Sequence, residues 1–312
     1  MRLRRIFIGT AIVLAGCALS GTPAFAATKI VLGYLPVNDW LPTFVAKEKG
    51  YFEKRGLDVT LQRIAVGSTL PSVLVADSVQ IGSLTAPVTL QAIEGGLDLV
   101  ILAGASLATT RNQHTSVVAR QGSNIRQPAD FAGKKVGVPD LNGALDIMFR
   151  KWLKDSGADL KSVAFIETAF PQMSDMLKAG HLDAVIPVEP FRTRMIQANI
   201  GYHVVNPLAE VRDNNLITFY AATRKWAEAN PDAVKAFREA LREGLEFITG
   251  NLAEARSIEG KYTGLPPQVV QTIPLVTLTL NVKREDIQFW IDICRELGVI
   301  KGNIEASRVI FP

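Results

Sequence analysis

The chain reads as an α/β protein of two lobes, on three observations. Short runs rich in Val, Ile and Leu alternate with helical stretches over residues 29–105, with connections of only a few residues. The same alternation restarts after Thr115–Ala119. Leu216–Thr223 then runs back as an extended segment, and the remainder is almost wholly helical. Two α/β units joined by two extended crossings describe a bilobal clam, its first lobe completed by the C-terminal helices. The expected division gives residues 27–116 and 221–312 to the first lobe and 117–220 to the second.

The first unit opens with a strand at Lys29–Tyr34 and a loop holding Pro36, Asn38, Asp39, Trp40 and Pro42. Thr43–Lys49 predicts a short helix, stopped by Gly50 in the manner of a left-handed cap. Asp58–Ile64 alternates apolar and polar residues, as a half-buried strand does. Gly67-Ser68-Thr69 starts a helix that tolerates Pro71 in its first turn. Val79–Gly82 is a strand, Thr85-Ala86-Pro87 starts a helix ending at Gly95-Gly96, and Leu99–Ala105 is a further strand.

In the second unit Pro128–Phe131 begins a short helix closed by Gly133, and Lys134–Val138 is a strand. A loop at Pro139–Gly143 leads into a long helix that ends at Ser156-Gly157. Strands are expected at Val163–Ile166, Ala184–Pro187 and His203–Val205, and helices at Gln172–Ala179 and Phe191–Asn199. Three helices close the chain at Pro231–Phe247, Leu252–Tyr262 and Arg284–Leu297. Neither a repeat nor a low-complexity segment interrupts the order.

The N-terminus predicts export. Arg2, Arg4 and Arg5 precede the apolar stretch Ile6–Leu14, and Ala24-Phe25-Ala26 is a small-residue cleavage site, the pattern of a secretory signal peptide over residues 1–26. Leu14-Ala15-Gly16-Cys17 also reads as a bacterial lipobox, so acylation at Cys17 is the alternative to cleavage after Ala26. Apolar residues make up 48% and charged residues 21% of the chain, ordinary for a globular protein. Without the leader, 31 basic residues face 30 acidic ones, which argues against a nucleic-acid partner. Only Cys294 then remains, so no internal disulfide is expected.

Catalytic and metal motifs are not evident. His114, His181 and His203 are the only histidines and lack metal-ligand spacing; G-x-S-x-G and Walker patterns do not occur, and no cysteine pair is available. No enzyme activity and no cofactor are expected.

Several blocks resemble the nitrate/sulfonate/taurine group of ABC-transporter substrate-binding proteins. They are Gly33-Tyr34-Leu35-Pro36, the stretch Phe44–Val59, Gln80-Ile81-Gly82, Asp130–Val138, Ala179–Ala184 and Val188-Glu189-Pro190-Phe191, in order along the chain. The resemblance implies a type II periplasmic-binding-protein fold, a monomer outside the cytoplasm that captures a small solute by lobe closure and passes it to an inner-membrane permease. It implies a solute among sulfonates, carboxylates, aromatic acids and pyrimidine-like compounds. A sensory protein that presents its ligand to a receptor is the alternative, followed by an enzyme akin to thiamine-pyrimidine synthases. Sulfonate-type members tend to carry Ser or Thr where this chain has Asp140-Leu141-Asn142-Gly143-Ala144-Leu145-Asp146, which argues against a small solvated anion.

Ligands of open α/β sheets bind beyond the carboxyl ends of the strands, at helix N-termini. That rule points to Ser68 and Thr69, to Thr85, and to Asn142, Gly143 and Ala144, though Ser, Thr and Asn are also plain helix caps. Asn38, Asp39 and Trp40 follow the first strand, where an aromatic ring would stack on a planar ligand or lie packed on its own lobe. Arg111 and His114 precede the first crossing, with Arg111 suited to a carboxylate or sulfonate and His114 to ligand contact or a hinge hydrogen bond. Glu189 would accept from a ligand hydroxyl or amine, or cap the helix that begins at Phe191. The acids Asp39, Asp140, Asp146 and Glu189 favour a ligand with a donor group, or a largely apolar one.

Overall fold

The computed structural model describes residues 27–112 and 114–312. The expected leader, its Ala24–Ala26 site and Cys17 lie outside the described residues. None of the described helices is long and apolar enough to cross a membrane.

The first unit runs β1 (Thr28–Tyr34), α1 (Leu41–Glu48), β2 (Leu57–Arg63), α2 (Leu70–Val75), β3 (Ile81–Thr85), α3 (Ala86–Glu94) and β4 (Leu99–Ala108). The second runs β5 (Val117–Arg120), β6 (Lys135–Val138), α4 (Ala144–Asp155), β7 (Ala164–Glu167), α5 (Phe170–Lys178), β8 (Ala184–Val185), α6 (Phe191–Gln197), β9 (Gly201–Val205) and α7 (Pro207–Val211). The return comprises β10 (Asn215–Thr223), α8 (Arg224–Ala229), α9 (Pro231–Gly250), α10 (Leu252–Thr263), α11 (Pro267–Val270), β11 (Thr277–Leu278), α12 (Arg284–Glu296) and α13 (Ala306–Val309).

Two sheets result. The first has the order β11-β4-β10-β3-β1-β2 and the second β7-β6-β8-β5-β9. β1 lies parallel to β2 and β3, while β10 inserts antiparallel between β3 and β4. The range 117–220 expected for the second lobe therefore includes residues 215–220, which pair within the first sheet. The passage back between the lobes falls before β10. Apolar periodicity marks Leu216–Thr223 as extended, but register with β3 and β4 is a long-range choice that periodicity leaves open.

The C-terminal helices cover the first sheet. Along α9, Phe237, Leu241, Gly244 and Ile248 are buried at three- and four-residue spacing, the stripe an amphipathic helix turns inward. Gly244 lets the helix meet α1 closely, since a Cβ there would stand 2.5 Å from the Pro42 carbonyl oxygen. Phe44 of α1 stacks on Tyr262 of α10, ring centroids 4.6 Å apart. Arg238 of α9 donates from Nε to the Leu102 carbonyl at 2.6 Å and from Nη2 to the Phe311 carbonyl at 2.8 Å, tying the last residues to β4. Cys294 is buried on α12, and burial pushes its thiol up to about 12, so it behaves as a small core hydrophobe.

Candidate functional site

Between the two sheets lies a cleft lined from both lobes. The first lobe contributes the loop after β1, the end of β3 with the start of α3, and Gly67 before α2. The second contributes the loop after β6, the first residues of α4, and Phe170 at the start of α5. The walls are mostly apolar, with Val37, Leu84, Val88, Leu145, Phe170 and Ile217 among them. Among the described residues, the ionisable side chains lining it are Asp39, His114 and Asp140, with no Lys or Arg.

Asp39 is buried, and its Oδ1 accepts from Ser106 Oγ at 2.6 Å, with Thr218 Oγ1 3.2 Å away. The two hydroxyls are 2.6 Å apart. With one proton each, they are best satisfied as a relay from Thr218 to Ser106 to Asp39. Both contacts fall on Oδ1, which leaves the other carboxylate oxygen for a donor in the cleft. Trp40 packs edge-on against Tyr220, centroids 5.3 Å apart, and its Nε1–H has no partner. The Ser83 and Thr85 hydroxyls are buried without partners as well. Thr85 occupies the cap position of α3 with extended backbone, yet its side chain caps nothing. An unpaired buried hydroxyl costs about 1–3 kcal/mol, a deficit that a polar atom of a ligand would remove.

His114 is buried where the chain leaves the first lobe, its Nδ1 3.4 Å from the Asn112 carbonyl. Burial holds its imidazole below the ordinary range; the Asp39 charge counteracts this and the Arg192 charge adds to it. The ring is therefore neutral at pH 7 and offers a donor or an acceptor, not a charge. Asp140 reaches across the cleft from the second lobe, its Oδ1 accepting from the Gly67 amide at 2.8 Å. Burial lifts its carboxyl to about 6, the Gly67 and Ser68 amides opposing this and Glu167 and Asp146 adding to it.

The expected site residues separate into two groups. Asp39, Trp40, Thr85, His114 and Ala144 line the cleft. The others do not. Asn38 donates from Nδ2 to the Pro274 carbonyl at 3.0 Å and holds the C-terminal segment. Ser68 faces an outer groove, and Thr69 is exposed, its Oγ1 bound to the Val66 carbonyl at 2.8 Å. Arg111 is exposed; the carboxyl of Asp213 is held low chiefly by the Thr110 amide, with the Arg111 charge a minor addition. Asn142 adopts φ +57 so that its amide meets Asp146 Oδ2 at 2.8 Å, and Gly143 packs against Asp140. Glu189 is buried and turned onto α6, accepting from the Thr193 hydroxyl at 2.8 Å and from Arg192 Nη1 at 3.2 Å.

Sequence reasoning passed over Ser83, Gly67 and Phe170, and left Asp140 outside the site despite counting its charge. Ser83 lies inside a strand, where a small polar residue flanked by apolar ones gives no signal of its own. Asp140 was legible as a carboxylate immediately after a strand, the position from which α/β proteins present functional groups.

The chain matches the NMT1/THI5-like profile over residues 38–255. It belongs to the NMT1/THI5-like family. Among the relatives of this family member, the nitrate/nitrite binding protein NrtA of Nostoc is 25% identical over 259 residues, covering 75% of this chain and 57% of that protein. A putative thiamine biosynthesis protein of Haemophilus influenzae is 32% identical over 166 residues, 53% of this chain and 51% of that one. The family member thus spans a little over half the length of these curated relatives. Among solved structures, the alkanesulfonate-binding protein SsuA from Xanthomonas axonopodis pv. citri, bound to MOPS, superimposes with a TM-score of 0.79 at 17% identity, over 92% of this chain and 99% of that one. The periplasmic nitrate-binding protein NrtA from Synechocystis PCC 6803 gives 0.75 at 17%, over 90% and 84%. The fold is that of the type II periplasmic binding proteins.

Proposed function

We propose that this protein is the extracytoplasmic solute-binding component of an ABC importer. It captures a small organic solute between its lobes and delivers it to a membrane permease. The observation that carries this reading is the interlobe cleft. There Trp40 Nε1, Ser83 Oγ and Thr85 Oγ1 stand buried and unpaired around a mostly apolar space. A solute that satisfies them while touching both lobes stabilises the closed form by contacts the open form lacks.

The lining also bears on the solute. An oxyanion entering the cleft would meet Asp39 and Asp140 with no Lys or Arg among the described lining residues to neutralise it. Asp39 instead calls for an N–H or O–H donor, Trp40 for an acceptor or a flat ring, and the apolar walls for an organic body. A planar, nitrogen-bearing solute of the pyrimidine type answers these demands better than the nitrate or sulfonate named for the relatives.

A thermal-shift panel of nitrate, bicarbonate, ethanesulfonate, taurine, benzoate and an aminopyrimidine tests this reading. Ligand at a thousandfold over its Kd adds about 4 kcal/mol, enough for an upward shift of several degrees. The expected result is a shift with the aminopyrimidine and none with nitrate or ethanesulfonate. A shift confined to the oxyanions would overturn the solute assignment and keep the binding role.

A further inference from the structure

The loop after β6 does more than line the cleft. It makes two hydrogen bonds across it to the other lobe. Asp140 Oδ1 accepts from the Gly67 amide at 2.8 Å, and the neighbouring Ser68 amide favours the ionised carboxylate. Asn142 accepts at its carbonyl oxygen from Gln91 Nε2 of α3 at 3.0 Å. The loop is itself braced: Asn142 donates to Asp146 Oδ2 at 2.8 Å, Gly143 donates to the Asp140 carbonyl at 3.1 Å, and Leu141 donates to Glu167 Oε1 at 3.0 Å. Approach of the lobes is tight at this point. A Cβ on Gly67 would stand 2.6 Å from Asp140 Oδ1, and the three atoms nearest to it all belong to Asp140.

We infer that Asp140 is an interlobe latch, a positioning residue that holds the cleft closed in the absence of solute by docking its carboxylate on the Gly67 and Ser68 amides. The bond is intramolecular and buried, and it joins a preformed loop to a preformed turn. Little conformational entropy opposes it beyond that of the lobe motion itself. Gln91 with Asn142 supports it from the side, and at the rim Glu296 of α12 meets Lys154 of α4 at 3.1 Å and Lys151 at 3.4 Å. Those rim pairs are solvated and contribute little. The buried bond carries the closure.

The latch makes predictions that need no solute, so they stand or fall apart from the transport reading. Small-angle scattering of the purified protein at neutral pH measures closure as a radius of gyration. Asp140→Ala removes the bridge and should raise that radius by on the order of 1 Å above the roughly 19 Å expected for a closed chain of this length. Asp140→Asn keeps an acceptor at the same place without the charge and should be at least as compact as wild type. Gly67→Ala leaves the backbone at ease, since Gly67 is not among the residues with positive φ, but its methyl collides with Asp140 and should open the cleft. In an Asp140→Ala background Gly67→Ala should add nothing, because the atoms it would strike are gone. Equal compactness of Asp140→Ala and wild type would overturn the latch. So would further opening by Gly67→Ala in the Asp140→Ala background, or an expanded but fully folded Asp140→Asn.

Discussion

At the scale of single residues, the cleft is defined by polar groups that serve nothing else. Ser83 and Thr85 have buried hydroxyls without partners, whereas Thr69, Thr89 and Ser72, also in the first lobe, each donate to a carbonyl within 3.0 Å. A hydroxyl kept unpaired in the core lowers stability, and replacing it by an apolar group of the same shape is neutral or stabilising. Ser83→Ala and Thr85→Val should therefore leave the melting temperature of the solute-free protein unchanged or slightly raised. The same variants should weaken binding of the solute picked out by the thermal-shift panel by roughly 3- to 10-fold each, the value of one ordinary hydrogen bond. Calorimetric titration beside a melting curve separates the two effects. A lower melting temperature with unchanged affinity would show that these hydroxyls serve the fold. Glu189, unlike His114, illustrates the opposite case, in which a conspicuous side chain is tied to the chain around it. The sequence names both, but only the packing shows that Glu189 turns onto α6 while His114 keeps an edge on the cleft.

At the scale of elements, the first lobe depends on how closely α9 lies against α1. Gly244 makes that approach possible, so substituting it sets two effects against each other. Alanine in a helix interior normally gains about 1 kcal/mol over glycine. Here its methyl would sit 2.5 Å from the Pro42 carbonyl oxygen, which is backbone and cannot swing aside. The clash wins, and Gly244→Ala should destabilise by about 1–3 kcal/mol, lowering the melting temperature by several degrees. Gly250→Ala, with nothing within 4 Å of its new methyl, is the control and should not lower it. A melting curve of each variant decides the point, and equal effects would show that α9 can shift off α1. Elements of this length were legible beforehand: apolar periodicity and terminal glycines placed α1, α3, α4, α9, α10 and α12 to within a few residues. The short α7, α8, α11, α13 and the two-residue β11 were not, since one turn or one bridge generates no periodic signal. The position of β10 was missed for a different reason. Its residues announce a strand, while its place between β3 and β4 is set by partners more than a hundred residues away in the chain.

At the scale of the whole molecule, closure of the two lobes should be coupled to a proton. In the closed form Asp140 is buried and its carboxyl is lifted to about 6, by burial first and then by Glu167 and Asp146, against the pull of the Gly67 and Ser68 amides. Asp146 is in turn held by Arg150 Nε at 2.6 Å, which limits its share. Opening the cleft returns Asp140 to water, where a carboxyl titrates near 4. Between about 4 and 6 the closed form thus binds more protons than the open one, and linkage requires that acidification through this window favour closure. The protonated acid keeps a carbonyl oxygen for the Gly67 amide, so the bridge survives while the charge that resisted burial is removed. A difference of about two units corresponds to roughly a hundredfold in the ratio of closed to open forms. The radius of gyration of the solute-free protein should therefore hold its closed value or decrease, and not increase, as pH falls from 8 to 4.5. Asp140→Asn, which has no charge to lose, should show a flat profile over the same range. A profile that runs the other way in wild type would mean that the ionised carboxylate is the better partner for the two amides, and that the acid side of the window opens the cleft.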